Sequence, residues 1–213
     1  MDRYTEPDFS TAALITIDTQ RDTLDGQPLE IPGTSSILPN MCRLLSAFRA
    51  AKRPIVHVVR LYKPDGSNVD LCRRAAVEAG QGALAPGTPG SQLAPGLLPD
   101  DSLSLEPEVL LAGGIQTMSP QEFVIYKPRW GAFYRTCLER HLRSLGITTT
   151  IFTGCNFPNC PRTSVMEASE RDFRIVLVRD AVSGFTERDE TEMVRIGVTV
   201  LTTEELHARL SRV

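Results

Sequence analysis

The 213 residues carry 41% apolar and 23% charged side chains, ordinary globular usage in a length that one α/β domain can fill. The formal net charge of -3, with no Lys/Arg run longer than two, argues against a nucleic-acid or membrane-surface partner, which would show as a clustered basic excess. Five cysteines, an odd number scattered through a chain able to build a core, point to reduced thiols rather than a disulfide scaffold.

The N-terminal MDRYTEPDFS offers no basic lead into an apolar stretch, and no apolar run approaches the roughly 20 residues that span a bilayer. A cytoplasmic protein with no membrane partner is the expectation. AALITIDT (12–19) is the first apolar run, followed by a helical pattern in SSILPNMCRLLSAFRAA (35–51) and a second run, PIVHVVR (54–60). The segment from about 80 to 120 is rich in Gly, Pro and Ser, weakly periodic, and too long for an idle connection, which suggests a lid or an interface arm. Beyond it come EFVIYK (122–127), a helical FYRTCLERHLRSLG ending on a C′ glycine, Gly146, and TTTIFTG (148–154). PRTSVMEASERDF, RIVLVRDAV (174–182), TERDETEMVRIG and VTVLT (198–202) complete the alternation. The strand runs lack polar alternation, as strands buried on both faces do. Six such strands alternating with helices predict a single three-layer α/β/α domain, 1–213, around a mostly parallel, doubly wound, Rossmann-like sheet.

Open α/β sheets bind ligands beyond the carboxyl ends of their strands. Four chemically capable residues fall there: Asp18 closes the first strand, Arg60 the second, Lys127 the EFVIYK strand, and Cys160 follows TTTIFTG. Cys160 precedes Pro161, which suits a first helical position, so Cys160 is expected at the helix N-cap with its thiol acidified by the helix dipole. The bland reading is a packed, inert thiol. Cys155, directly after Gly154, is expected beneath the loop, and a Cys155/Cys160 redox pair stays open although the Cys-x-x-Cys spacing is absent. No second Cys/His pair completes a zinc site. Asp18, Lys127 and Cys160 together supply a base, a cation and a nucleophile. Asp18 alone reads equally well as a capping or loop-tying carboxylate.

The segments ALITIDTQRDT, YKPRWGAF and TGCNFPNCPRTSVMEASERDFRIVLVRDAVSG resemble those of the isochorismatase-like cysteine hydrolases, relatives of nicotinamidase and N-carbamoylsarcosine amidase. The resemblance runs in order along nearly the whole chain and implies a six-stranded fold assembled as a homodimer or homotetramer. It implies a catalytic triad at Asp18, Lys127 and Cys160, a non-proline cis peptide at Asn156–Phe157, and an oxyanion hole from the amides of Phe157 and Cys160. Three departures narrow it. The loop has Asn156, Phe157 and Pro158 where a small residue, Thr and Asp are usual. Leu61 and Lys63 stand where nicotinamidases carry a metal-binding Asp-x-His, so no metal and no cofactor are expected. True isochorismatases lack the nucleophilic Cys, so its presence favours acyl transfer over vinyl-ether cleavage.

The remaining candidates are positional. Gln20, Arg60, Tyr62, Trp130 and Phe133 are expected to line a pocket for a small-molecule substrate; Arg60 reads either as a clamp for a substrate carboxylate or as one half of an ion pair. His57 reads as a core or interface histidine, and His141 and His207 as helix-surface residues. The reading that emerges is a cysteine-dependent hydrolase of an amide-like C–N bond, with a vinyl-ether hydrolase and a thiol-redox or non-catalytic binding protein as the alternatives.

Overall fold

The computed structural model describes residues 2–80 and 82–211. Seven strands form one sheet: β1 (Ala12–Ile17), β2 (Ile55–Val59), β3 (Ile115–Ser119), β4 (Glu122–Tyr126), β5 (Thr149–Gly154), β6 (Arg174–Val182) and β7 (Thr199–Leu201). Their order is β3-β4-β2-β1-β5-β6-β7, parallel throughout except for β3, which pairs antiparallel with β4. All six expected strands are present. The seventh, β3, lies inside the segment expected to be loop, where a hairpin through Pro120 and Gln121 joins it to β4. Its half-buried pattern is that of an edge strand, which carries a weaker hydrophobic signal than a strand covered on both faces.

Alternation along β1 divides the core. Ala12 and Leu14 face one layer, Ala13, Ile15 and Ile17 the other, as the two-residue period of a strand requires. The first layer packs helices α1 (Thr34–Ala50), α3 (Pro107–Leu111) and α7 (Thr203–Leu210) through Phe48, Leu110 and Leu206. The second packs α4 (Leu138–Ser144), α5 (Cys160–Ser169) and α6 (Glu187–Arg195) through Leu142, Val165 and Met193. A short helix α2 (Leu71–Glu78) buries no residue and stands outside both layers. Helix α4 starts at Leu138, later than the periodicity suggests, and stops as expected before Gly146, whose φ of 71° fits a C′ glycine. No helix among the described residues is long and apolar enough to cross a membrane.

From β1 the chain moves through β2 to β4 on one side, then returns to place β5 on the other side of β1. The carboxyl ends of β1 and β5 therefore flank the topological switch point, where a crevice is unavoidable. Gly154 ends β5 with φ 114°, and a β-carbon there would overlap the Ile17 backbone. Only glycine lets β5 leave the sheet so close to β1.

The Gly/Pro-rich segment, Gln81 lying outside the described residues, is a strap laid over this end. Residues 91–94 dock on the chain leaving β1: Ala94 N–H donates to the Thr19 carbonyl (3.0 Å), Arg21 N–H to that of Gln92 (2.9 Å), and Gln20 bridges Leu93. Asp22 accepts from the Leu84 amide (2.6 Å), and Tyr62 N–H donates to the Leu84 carbonyl (3.0 Å). Gly90 lies so close to the Asp22 carboxylate that a methyl group would overlap it.

Candidate active site

Asp18 is the first residue past β1. Its amide continues the ladder to Val58 (2.9 Å), and its φ of 49° turns the chain into the left-handed region, which aspartate enters more easily than most residues. Its Oδ2 lies 2.8 Å from Nζ of Lys127, the residue that follows β4, and the two side chains are 7% and 0% exposed. Lys127 also donates to the Arg129 carbonyl (3.1 Å). Asp18 Oδ1 is buried with no hydrogen-bond partner at normal distance among the described residues, an acceptor facing the Cys160 thiol in a desolvated site. Its carbonyl, by contrast, accepts from Gln20 N–H (3.0 Å), Thr23 Oγ1 (3.2 Å) and the Cys155 thiol (3.1 Å).

Cys160 is the first residue of α5, not its cap. Asn159 holds the N-cap position, and Pro161 sits in the first turn as expected. The expected acidification of the thiol does not occur. Burial pushes Cys160 up to about 12, and the charge of Asp18 adds to the rise, against smaller opposing pulls from Lys127 and Arg60. Loss of thiolate hydration is the larger effect at this helix terminus. Cys155 is packed beneath the loop as expected, its thiol held by Asp18 and Thr23, and burial pushes it too up to about 12. Both sulfurs are free thiols.

The loop between β5 and α5 differs from expectation in register. Its cis peptide is Cys155–Asn156, one bond earlier than Asn156–Phe157. Phe157 is also no oxyanion donor: its amide is committed to the Ser183 carbonyl (2.8 Å), and its ring is buried edge-on against Phe185 (4.7 Å). Asn156 and Cys160 have backbone amides with no such bond among the described residues. Asn156 and Cys160 also line the cleft together with Asp18.

That cleft is narrow, a cavity of about 10 Å³ walled by Arg60, Tyr62, Arg73 and Trp130 with Leu29, Ile31 and Leu84. Arg60, Tyr62 and Trp130 are therefore where expected. Gln20 is not: its Nε2 donates to the carbonyls of Arg60 (2.8 Å) and Ser91 (2.6 Å), and its Oε1 accepts from Arg60 N–H (2.8 Å). It is a fully satisfied brace between β1, β2 and the strap. Phe133 is not a pocket wall either, since it packs in the core against Phe173, ring centroids 5.7 Å apart. Arg73 and Leu84 escaped sequence reasoning because α2 and the strap carry no periodic signal toward the sheet.

His57 is a core histidine outside the cleft lining, its ring bridging Thr16 Oγ1 (2.7 Å) and Glu122 Oε1 (2.8 Å). His207 is exposed on α7. His141 is half-buried rather than superficial, edge-on to Phe123 at 4.4 Å, and burial lowers its pKa. No group of three or more His, Cys, Asp or Glu side chains suited to a metal is found among the described residues, and at the positions of the Asp-x-His pair Leu61 is buried in the core and Lys63 exposed.

A family profile described as the Isochorismatase domain matches residues 12–109 and 106–205. A probable inactive nicotinamidase of Arabidopsis thaliana is 28% identical over 210 residues, covering 95% of this chain and 98% of that protein. N-carbamoylsarcosine amidase of an Arthrobacter species is 31% identical over 162 residues, 75% of this chain, which spans 54% of that relative's length. The crystal structure of an isochorismatase family protein from Desulfovibrio vulgaris superposes with a TM-score of 0.79 at 31% identity, covering 95% of this chain and 99% of the other.

Proposed function

The chain belongs to the isochorismatase family, and from that membership and its cleft we propose that it is a cysteine-dependent hydrolase of an amide-like C–N bond in a small molecule. One observation carries the reading. A desolvated Asp18–Lys127 pair, 2.8 Å apart, keeps one carboxylate oxygen unpartnered in the same cleft as the Cys160 thiol.

Because the thiol is held up to about 12, the resting site carries S–H, and proton removal accompanies attack. The unpartnered Asp18 oxygen takes the proton as sulfur adds to the amide carbonyl. The amides of Asn156 and Cys160 donate to the developing oxyanion, and Lys127 offsets the charge on this side of the cleft. The C–N bond then breaks, the proton passes from Asp18 to the leaving nitrogen, and ammonia or an amine departs. Water, deprotonated by Asp18, cleaves the thioester to release the acid and restore the thiol. The activity named for the Arthrobacter relative, an amidase, supports the same bond class.

A panel of small amides, ureas and carbamoyl compounds, read by ammonia release, tests the activity, and intact mass in a single turnover tests the adduct. Acyl mass on the wild type and none on Cys160→Ala are expected. A Cys160→Ala protein at full rate would refute the mechanism, and retained activity toward a vinyl ether would favour the alternative hydrolase. The description of the Arabidopsis relative as a probable inactive enzyme favours a binding protein as the second reading. That reading expects affinity for an amide without turnover.

A further inference from the structure

We propose that Ser164 and Glu167 of α5 are positioning residues. They clamp the loop that follows Lys127 to the helix that begins at Cys160, and so keep cation and nucleophile in one register. The inference rests on the hydrolase reading and adds the residues that hold its site together.

Ser164 lies one helical turn beyond Cys160 and Glu167 one turn further, on the same face. Ser164 is 0% exposed; its Oγ donates to the Cys160 carbonyl (2.7 Å) and accepts from the Ala132 amide (3.0 Å). Donation to a carbonyl four residues back is ordinary for a helical serine. The second bond, to a separate loop, is the informative one. The single hydroxyl proton is spent on α5, which leaves the lone pairs for the loop. Glu167 Oε2 accepts from the Phe133 amide (2.8 Å). The Gly131 backbone lies so close to the same carboxylate that a β-carbon would overlap it. Residues 131–133 are thus held through their backbone by two side chains of the nucleophile's helix. Neither Ser164 nor Glu167 lines the cleft, so neither is a catalytic residue.

The residues just before this clamp reach the site. Lys127 leaves β4 with Nζ 2.8 Å from Asp18 and 3.1 Å from the Arg129 carbonyl, and Trp130 walls the cleft. The Arg129 carbonyl and Trp130 therefore ride on the segment that α5 holds. Release of that segment shifts an acceptor of the ammonium, and the pull of Lys127 toward the thiolate weakens with distance. Reacting groups must stay within about 0.5 Å of their working geometry, so a narrow cleft tolerates little drift.

The test is the rate at which iodoacetamide, a small amide reagent, alkylates Cys160 at about pH 9, read by peptide mass spectrometry. Ser164→Ala and Glu167→Ala should each slow the reaction about three- to tenfold. Glu167→Gln keeps an acceptor and should stay within about twofold of the wild type. In a Lys127→Met background the two alanine substitutions should change the rate by less than about twofold, because their effect passes through the ammonium. A brace with only a structural role would lower the melting temperature, while its effect on alkylation would be absent or would persist without Lys127. Either result overturns the inference. Circular dichroism melting verifies that each variant is folded at the assay temperature. If an α5 variant unfolds, Gly131→Ala, which pushes the loop off Glu167 from the other side, takes its place with the same expectation. Ammonia release from the small-amide panel separates the two ideas. Amide turnover without a Lys127-dependent loss leaves the hydrolase reading standing and the inference fallen. A Lys127-dependent loss with no amide turned over leaves the clamp standing and the hydrolase reading fallen.

Discussion

Replacing Lys127 with methionine keeps most of the side chain's length and removes its charge. In the native protein, Lys127 and Asp18 are 0% and 7% exposed and 2.8 Å apart. At an effective dielectric of about 20 their attraction is about 6 kcal/mol, set against several kcal/mol of desolvation for each ion. The intact pair is thus near break-even. The single variant is a different case, because Asp18 Oδ1 already lacks a partner and Oδ2 now joins it. An uncompensated buried charge of this kind costs about 3–5 kcal/mol. With about 2.1 cal/mol/K of unfolding entropy per residue, 213 residues carry about 450 cal/mol/K, and the melting temperature should fall about 7–11 °C. Asp18→Asn/Lys127→Met removes both charges, and Asn tolerates the positive φ of position 18. The double variant should therefore be more stable than the sum of single losses predicts, by about 2–4 kcal/mol. Calorimetric melting of the four proteins measures this without reference to activity. Additivity within about 0.5 kcal/mol, or a Lys127→Met shift under about 2 °C, would refute the claim that the two ions form one desolvated unit.

Other consequences follow from neighbouring parts of the fold. Cys155 has its folded pKa raised to about 12 from 9.0, so its stabilising contribution is complete below pH 9 and is lost as pH rises toward 12. In urea melts between pH 9 and 11, the wild type should lose about 1 kcal/mol per pH unit more than Cys155→Ala; equal slopes would contradict the burial argument. Burial acts to raise the pKa of Glu122, but hydrogen bonds from Arg49 and His57 outweigh it and hold the group below its ordinary value. Its contribution is therefore present above the usual glutamate range and lost on acidification, and the stability gap between wild type and Glu122→Gln should close as pH falls through 4. Glu122 stands at the amino end of β4, away from the cleft, so kcat/KM of Glu122→Gln should match the wild type. Gly90→Ala should push the strap off Asp22, destabilise the protein by about 1–3 kcal/mol, and raise KM by displacing the Leu84 wall; an unchanged KM in a folded variant would show that the strap does not shape the cleft.

The six strands read from the sequence carry continuous apolar runs, whereas β3 does not, since only Gln116 and Met118 of its five residues are buried. Helix α7 also carries a local signal, a capping box between its N-cap Thr202 and Glu205 in its first turn. Asp18, Lys127 and Cys160 were legible as strand-end residues, and the sheet order explains why they meet. Gln20 and Phe133 lie beside those residues in sequence but turn away from the cleft, Gln20 into backbone hydrogen bonds and Phe133 into the core. Adjacency along the chain says little about side-chain direction where the backbone is irregular.

Cys160 shows the division most clearly. Its place after a strand and before Pro161 made it the candidate nucleophile from sequence alone, because local backbone chemistry is encoded locally. Its protonation state was not encoded there. A helix start by itself predicts an acidic thiol, whereas the folded cleft removes its water and sets it beside Asp18. Desolvation of the thiol depends on elements separated by more than a hundred residues in the chain. The sequence determined which reactive groups reach the rim of the sheet. The tertiary structure decided their environment, since dielectric and charge balance arise only when the walls of the cleft close around them.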